Sequence, residues 1–157
     1  MAIESLAAAL EHEHREIDQG IEDFMAALAA GESRPEPLMR AVHALRRHIY
    51  LEERFLFPQL RQAGLVAPVF VMLREHGQIW ATTTALELAL DTGATAPSML
   101  KLCRELTVQL QHHNLKEERV LYPQIDQVLT ASADAELRAF LDSGQLPDGW
   151  VCERAPR

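Results

Sequence analysis

Apolar positions recur every three or four residues through most of this chain, and the runs are separated by short segments rich in glycine and proline. Leu6, Leu10, Ile17, Ile21, Phe24 and Leu28 form the first stripe. Leu38, Ala41, Leu45 and Phe55 lie on the second, and Val69, Met72, Ile79, Thr83, Leu86 and Leu90 on the third. Leu102, Leu106, Leu110 and Val120 make the fourth. Steps of three and four gather side chains on one face of an α-helix. The breaks are Gly31 to Pro35, Ala63 to Pro68 and Asp91 to Pro97, where glycine ends one helix and proline opens the next. No segment alternates with the period of two that a strand requires. The pattern predicts an all-α fold of four long helices, then a short helix over 135–141 with Ser132 as its N-cap. The tail from Gly144 to Arg157 is rich in Pro, Gly and charge, and Trp150 is expected to pack it back on the helices. Residues 1–130 form one domain in this reading, with residues 131–157 as the short helix and tail.

Each stripe is interrupted by polar residues that bind metals. His14 fills a gap in the first, and His76 in the third. The second carries His48 and Glu52, and the fourth His113 and Glu117. The last two belong to a phrase that occurs twice: His48 to Gln59 (HIYLEERFLFPQ) returns as His113 to Gln124 (HNLKEERVLYPQ). Glu13-His14 and Glu75-His76 precede the two copies. A lone histidine on an apolar stripe is commonly a core residue with a satisfied hydrogen bond. Four in four helices, two of them followed one turn later by a carboxylate, call for pairing or a cation.

Short connections favour antiparallel neighbours, hence an up-down-up-down four-helix bundle. Counted outward from the first turn, His14 and Glu52 are each about 19 residues away and therefore level, at ~1.5 Å per residue. The second turn puts Glu52 level with His76, and the third puts His76 level with His113. All six side chains fall in one layer. A carboxylate has two oxygens and can bridge two ions, so Glu52 and Glu117 are the expected bridges. His14 and His48 then serve one ion, His76 and His113 the other. Mixed nitrogen and oxygen ligation with open positions suits iron or manganese better than a closed structural zinc site.

The remaining histidines are set aside. His12, though paired with Glu16 at helical spacing, points away from the stripe; His112 has Lys116 one turn on; His43 lies beside the core. Glu53 and Glu118 read as surface or rim carboxylates, with an added ligand or a hydrogen-bond acceptor behind the ligands as the alternative. Gln59 and Gln124 either bond the ligands or end the core. Pro58 and Pro123 are expected to kink their helices. Ile17, Ile49, Phe55, Trp80, Leu110 and Val120 are expected to wall the site.

The series His14, His48/Glu52, His76, His113/Glu117 resembles the hemerythrin-like, HHE cation-binding domain family, position by position, over about residues 3 to 130. The resemblance implies two iron ions bridged by oxide, hydroxide or water, with manganese or zinc as substitutes in a purified sample. It implies a small ligand such as oxygen, peroxide or nitric oxide. Family members carry or store oxygen, sense oxygen or iron, respond to nitric oxide, decompose peroxide or help repair iron-sulphur centres. Oxygen-carrying hemerythrins have a second histidine one turn after the third-helix ligand, where this chain has Trp80. That departure favours binding or sensing over reversible oxygen carriage, with peroxide decomposition and iron-sulphur repair or iron donation as the alternatives. The repair branch carries a cysteine-bearing N-terminal segment, whereas here the first helix begins at once.

Composition narrows the setting. The 157 residues suit one domain with a full core. A formal net charge of −8 without a basic cluster argues against nucleic acid or an anionic membrane as partner. No apolar run reaches the ~20 residues of a membrane span. Met1 to Ser5 lacks the basic and apolar pattern of a leader, so a cytoplasmic location is expected. Cys103 and Cys152 form no metal or disulfide motif; Cys103 reads as buried and Cys152 as exposed.

Overall fold

A computed structural model describes residues 4–157, and among them every regular element is helical. Helix α1 spans Leu6–Ala29 and α2 spans Glu36–Leu51. A π turn, Glu52–Leu56, joins α2 to α3, Phe57–Gln62. Helix α4 is Val66–Asp91 and α5 is Ala96–Lys116. A second π turn, Glu117–Leu121, and a tight turn, Tyr122–Gln124, lead into α6, Ile125–Val128, and then α7, Ala131–Ser143. The leader expectation rests partly on Met1 to Ile3, which lie outside the described residues. No helix among the described residues is long and apolar enough to cross a membrane.

The three breaks are built alike. Gly31, Gly64 and Gly93 adopt φ of 78°, 99° and 67°, the left-handed region that a side chain disfavours. After each, an amide reaches back five residues: Glu32 to the Ala27 carbonyl, Leu65 to that of Leu60 and Ala94 to that of Ala89, at 2.9 to 3.0 Å. These are Schellman stops, which satisfy carbonyls left over at a helix end. Helix starts use hydroxyl caps: Ser5 accepts from the Ala8 amide, Thr95 from Ser98 and Thr130 from Ala133. The last corrects the sequence reading, because Thr130 rather than Ser132 caps α7, and that helix is longer than 135–141.

Helix α1 packs on α2 and α5, and α4 on α5 and α2. The buried apolar residues divide into two clusters. Leu6 and Leu10 belong to one and Ile17, Ile21 and Phe24 to the other, with His14 between them. The same division falls at His76 on α4, and at the two His–Glu pairs on α2 and α5. A polar layer therefore cuts the core at one level on all four long helices. The tail returns to the helices: Cys152 is buried, against the expectation of exposure, and Trp150 packs edge-on against Tyr50 and Trp80.

The prolines do more than kink. Pro58 has no amide hydrogen for the usual four-residue bond. The chain answers with one wider turn, in which the Phe57 amide reaches back five residues to Glu52. Tyr122 and Glu117 repeat this ahead of Pro123. A π turn inserts one extra residue and rotates all that follows. Phe55 and Val120, expected as site walls on a continuous 3.6-residue helix, are consequently turned away. Phe55 packs on Tyr50 and Phe140, and Val120 is 46% exposed. Leu56, Phe57, Leu121 and Tyr122 are buried in their place.

Candidate metal centre

The polar layer brings together the six side chains singled out from the sequence. One group comprises Glu52, His76, His113 and Glu117, and a second comprises His14, His48 and Glu117. Within each group one donor atom per residue lies within 4.8 Å of the others. Glu117 belongs to both. None of the six is more than 4% exposed. The Nε2 atoms of His14 and His48 face each other at 3.0 Å. Glu52 Oε1 is 3.3 Å from His76 Nε2 and 3.6 Å from His48 Nε2. Glu117 Oε1 is 2.8 Å from His113 Nε2 and 3.7 Å from His14 Nε2.

These short approaches are poorly satisfied as hydrogen bonds. Glu52 Oε1, both oxygens of Glu117 and His76 Nε2 are buried without a partner of adequate geometry. A buried carboxylate left unpaired costs several kcal/mol. Among the described residues no Lys or Arg pairs with Glu52 or Glu117; imidazoles approach both, and the Tyr122 hydroxyl reaches Glu52 Oε2. The donor set thus fits cations placed between the oxygens and nitrogens, and His14, His48, His76, His113, Glu52 and Glu117 are the residues that would hold them.

Electrostatics in the metal-free chain fit the same reading. Burial drives the His14 imidazole down to about 2, with the neighbouring His48 adding to the fall. Burial opposes protonation of His113, yet the Glu117 charge and hydrogen bonds to Glu117 and Glu75 lift it to about 10. Burial and then the Glu52 charge raise Glu117 to about 7. Burial would raise Glu52 as well, but His48, Glu117 and His76 hold it well below the usual carboxylate range. Without a cation, protons take its place among these groups.

A ring of outer carboxylates orients the imidazoles; the sequence reading offered such a role for Glu53 only as its alternative, and gave none to Glu13 and Glu75. Glu13 accepts from His48 Nδ1 at 2.8 Å, Glu75 from His113 Nδ1 at 3.0 Å, and Glu53 from His76 Nδ1 at 2.6 Å. A carboxylate only accepts, so each Nδ1 carries the hydrogen and each Nε2 lone pair faces the centre. Each carboxylate is itself held: Glu13 by Arg47 at 3.1 Å, Glu75 by Lys116, and Glu53 by the backbone amide of Glu153 at 2.9 Å. Glu53 is therefore no rim residue. Glu118, its repeat equivalent, lies 3.9 Å from His14 Nδ1 and is partly exposed. The signal was present in the sequence, since each carboxylate is the chain neighbour of a ligand candidate.

Tyr122 was also missed. Its hydroxyl donates to Glu52 Oε2 at 2.8 Å and lies 3.1 Å from His14 Nε2 and 3.2 Å from His48 Nε2. His12, His43 and His112 are exposed, outside the layer. Trp80 fills the position where oxygen carriers have a further histidine; it is buried beneath Arg46, 4.6 Å from the ring centre.

A four-rod scaffold with this His/Glu layer defines a class of helical cation-binding domains. The model of the hemerythrin HHE cation-binding domain matches residues 5–125, and the chain belongs to that family. Among curated proteins it is similar to Uncharacterized protein Mb2018 of Mycobacterium bovis and Uncharacterized protein Rv1995 of Mycobacterium tuberculosis. Each is 29% identical over 116 residues, covering 66% of this chain and 46% of the relative. The chain thus spans under half the length of these relatives. No solved structure matches it significantly.

Proposed function

We propose that the protein is an up-down-up-down four-helix bundle holding a carboxylate-bridged pair of iron ions that binds or senses a small ligand such as oxygen, peroxide or nitric oxide. The observation that carries this reading is the shared position of Glu117, within ligand reach of both imidazole pairs. His14 and His48 serve one ion and His76 and His113 the other, with Glu52 and Glu117 between them. Iron bound there supplies reversible electron exchange and open coordination positions; the protein fixes the donors and excludes bulk water. Burial of the layer between two apolar clusters favours a ligand of two or three atoms over a larger substrate. Two free cysteines suit a reducing compartment such as the cytoplasm, and the acidic balance speaks against a nucleic-acid partner.

The test is anaerobic loading with ferrous iron, followed by exposure to air or nitric oxide. Two irons per chain and a visible spectrum that changes with the added gas are expected. A folded chain that retains no iron after desalting would refute the reading.

A further inference from the structure

The two copies of the repeat differ inside the site by one hydroxyl. Phe57 and Tyr122 occupy equivalent positions, and each ring stacks on a histidine of the layer. Phe57 lies on His76, with centroids 5.3 Å apart and planes 19° from parallel. Tyr122 lies on His14 at 5.6 Å and 25°. Tyr122 is 1% exposed and its oxygen points into the centre, whereas Phe57 presents only carbon.

The distances around that oxygen form a nearly equilateral triangle. His14 Nε2, His48 Nε2 and Tyr122 Oη are 3.0, 3.1 and 3.2 Å apart. Donors bound to one ion at right angles with bonds of ~2.1 Å are ~3.0 Å apart, so this is the spacing of one octahedral face. Hydrogen bonding accounts for it poorly. With both imidazoles neutral, as ligation requires, His48 keeps its hydrogen on Nδ1 toward Glu13. The phenol has one hydrogen, aimed at Glu52. His48 Nε2 and the phenol oxygen then meet lone pair to lone pair, an arrangement that a cation between them relieves.

We propose that Tyr122 is a seventh protein ligand, on the His14/His48 ion alone, and that small exogenous ligands are thereby directed to the His76/His113 ion. The inference rests on the di-iron reading. On coordination the phenolic O–H bond breaks, its proton leaves to solvent and an oxygen lone pair is shared with the ferric ion; no electron changes hands. Phe57 supplies no donor at the equivalent place on the other ion.

The experiment compares wild type, Tyr122→Phe and Tyr50→Phe, each loaded with ferrous iron under argon and oxidised with ferricyanide. Tyr50 is the only other tyrosine. Wild type and Tyr50→Phe should show a visible phenolate-to-iron charge-transfer band whose resonance Raman spectrum carries enhanced tyrosine ring vibrations. Tyr122→Phe, which restores the residue found in the first copy, should hold two irons per chain and lose both signals. Should that variant fail to fold, wild type grown on ring-deuterated tyrosine decides, because the enhanced vibrations must shift. A two-iron wild type without tyrosine vibrations, or signals that survive in folded Tyr122→Phe, overturns the assignment and leaves the di-iron reading standing. A wild type that takes up no iron removes both.

Discussion

At the residue scale the layer behaves as one unit, because its carboxylates are shared. Glu117 reaches both imidazole pairs, and Glu52 lies 3.3 Å from His76 and 3.6 Å from His48. Replacing either with alanine is expected to empty both positions; elemental analysis that finds one iron retained per chain would contradict bridging. Protons should move in step with metal. In the metal-free chain His113 is pushed up to about 10 and Glu117 to about 7, so at pH 7 the first is protonated and the second partly so. Metal needs their lone pairs, and loading at pH 7 should therefore release protons, measurable with an indicator dye in weak buffer. Affinity should rise with pH across this range and fall as the medium is acidified. The raised His113 value also stabilises the metal-free fold: the contribution is full below 6.5 and is lost as pH rises through about 10. The six side chains of the layer were legible in the sequence because each interrupts an apolar stripe. Tyr122 was not, because an aromatic residue five places past Glu117 falls off the stripe of a regular α-helix.

At the element scale the missing information is the π turn. Periodicity of 3.6 located the long helices and their breaks, and it misplaced Phe55 and Val120 because one residue is inserted between each glutamate of the layer and its proline. The clue was Pro58 and Pro123, each six residues after a ligand candidate, whose absent amide hydrogen disfavours an unbroken α-helix. The wider turn carries Phe57 and Tyr122 against the layer, so the backbone distortion and the site have one origin. The breaks, by contrast, were fully legible, since a glycine with positive φ has a chemical reason to be there. Gly64→Ala should keep the fold and lower stability by about 1 kcal/mol, the typical penalty for a side chain in the left-handed region. In a chain of this size that lowers the melting temperature by about 2–4 °C, which calorimetry can check. An unchanged melting temperature would mean that the turn relaxes to another conformation.

At the scale of the whole molecule, the C-terminal segment braces the polar layer from outside the repeat, reaching one histidine of each pair. Nothing in the repeat encodes that segment, so its role lay beyond sequence reasoning; only Trp150 hinted at contact. Arg47 donates to the Phe140, Leu141 and Gly144 carbonyls while holding Glu13, which ties the end of α7 to His48. Further on, Glu153 holds Glu53, and the Arg154 carbonyl comes so near Gly77 that an added Cβ would lie 2.3 Å from it. Glu75, held by Lys116, fixes His113 independently of the tail, so His76 and His113 are both braced from behind, whereas His14 Nδ1 is buried without a partner. A fixed imidazole binds metal more tightly, by about 10–100-fold where such supports have been removed. Filling should therefore be ordered, His76/His113 first. Calorimetric titration of His14→Ala should keep the tight first event and lose the second. Gly77→Ala, which lifts the tail from Glu53, should narrow the gap between the two. Under the di-iron reading, seats of unequal affinity would keep a half-loaded form populated over a wider range of iron supply than two like seats allow.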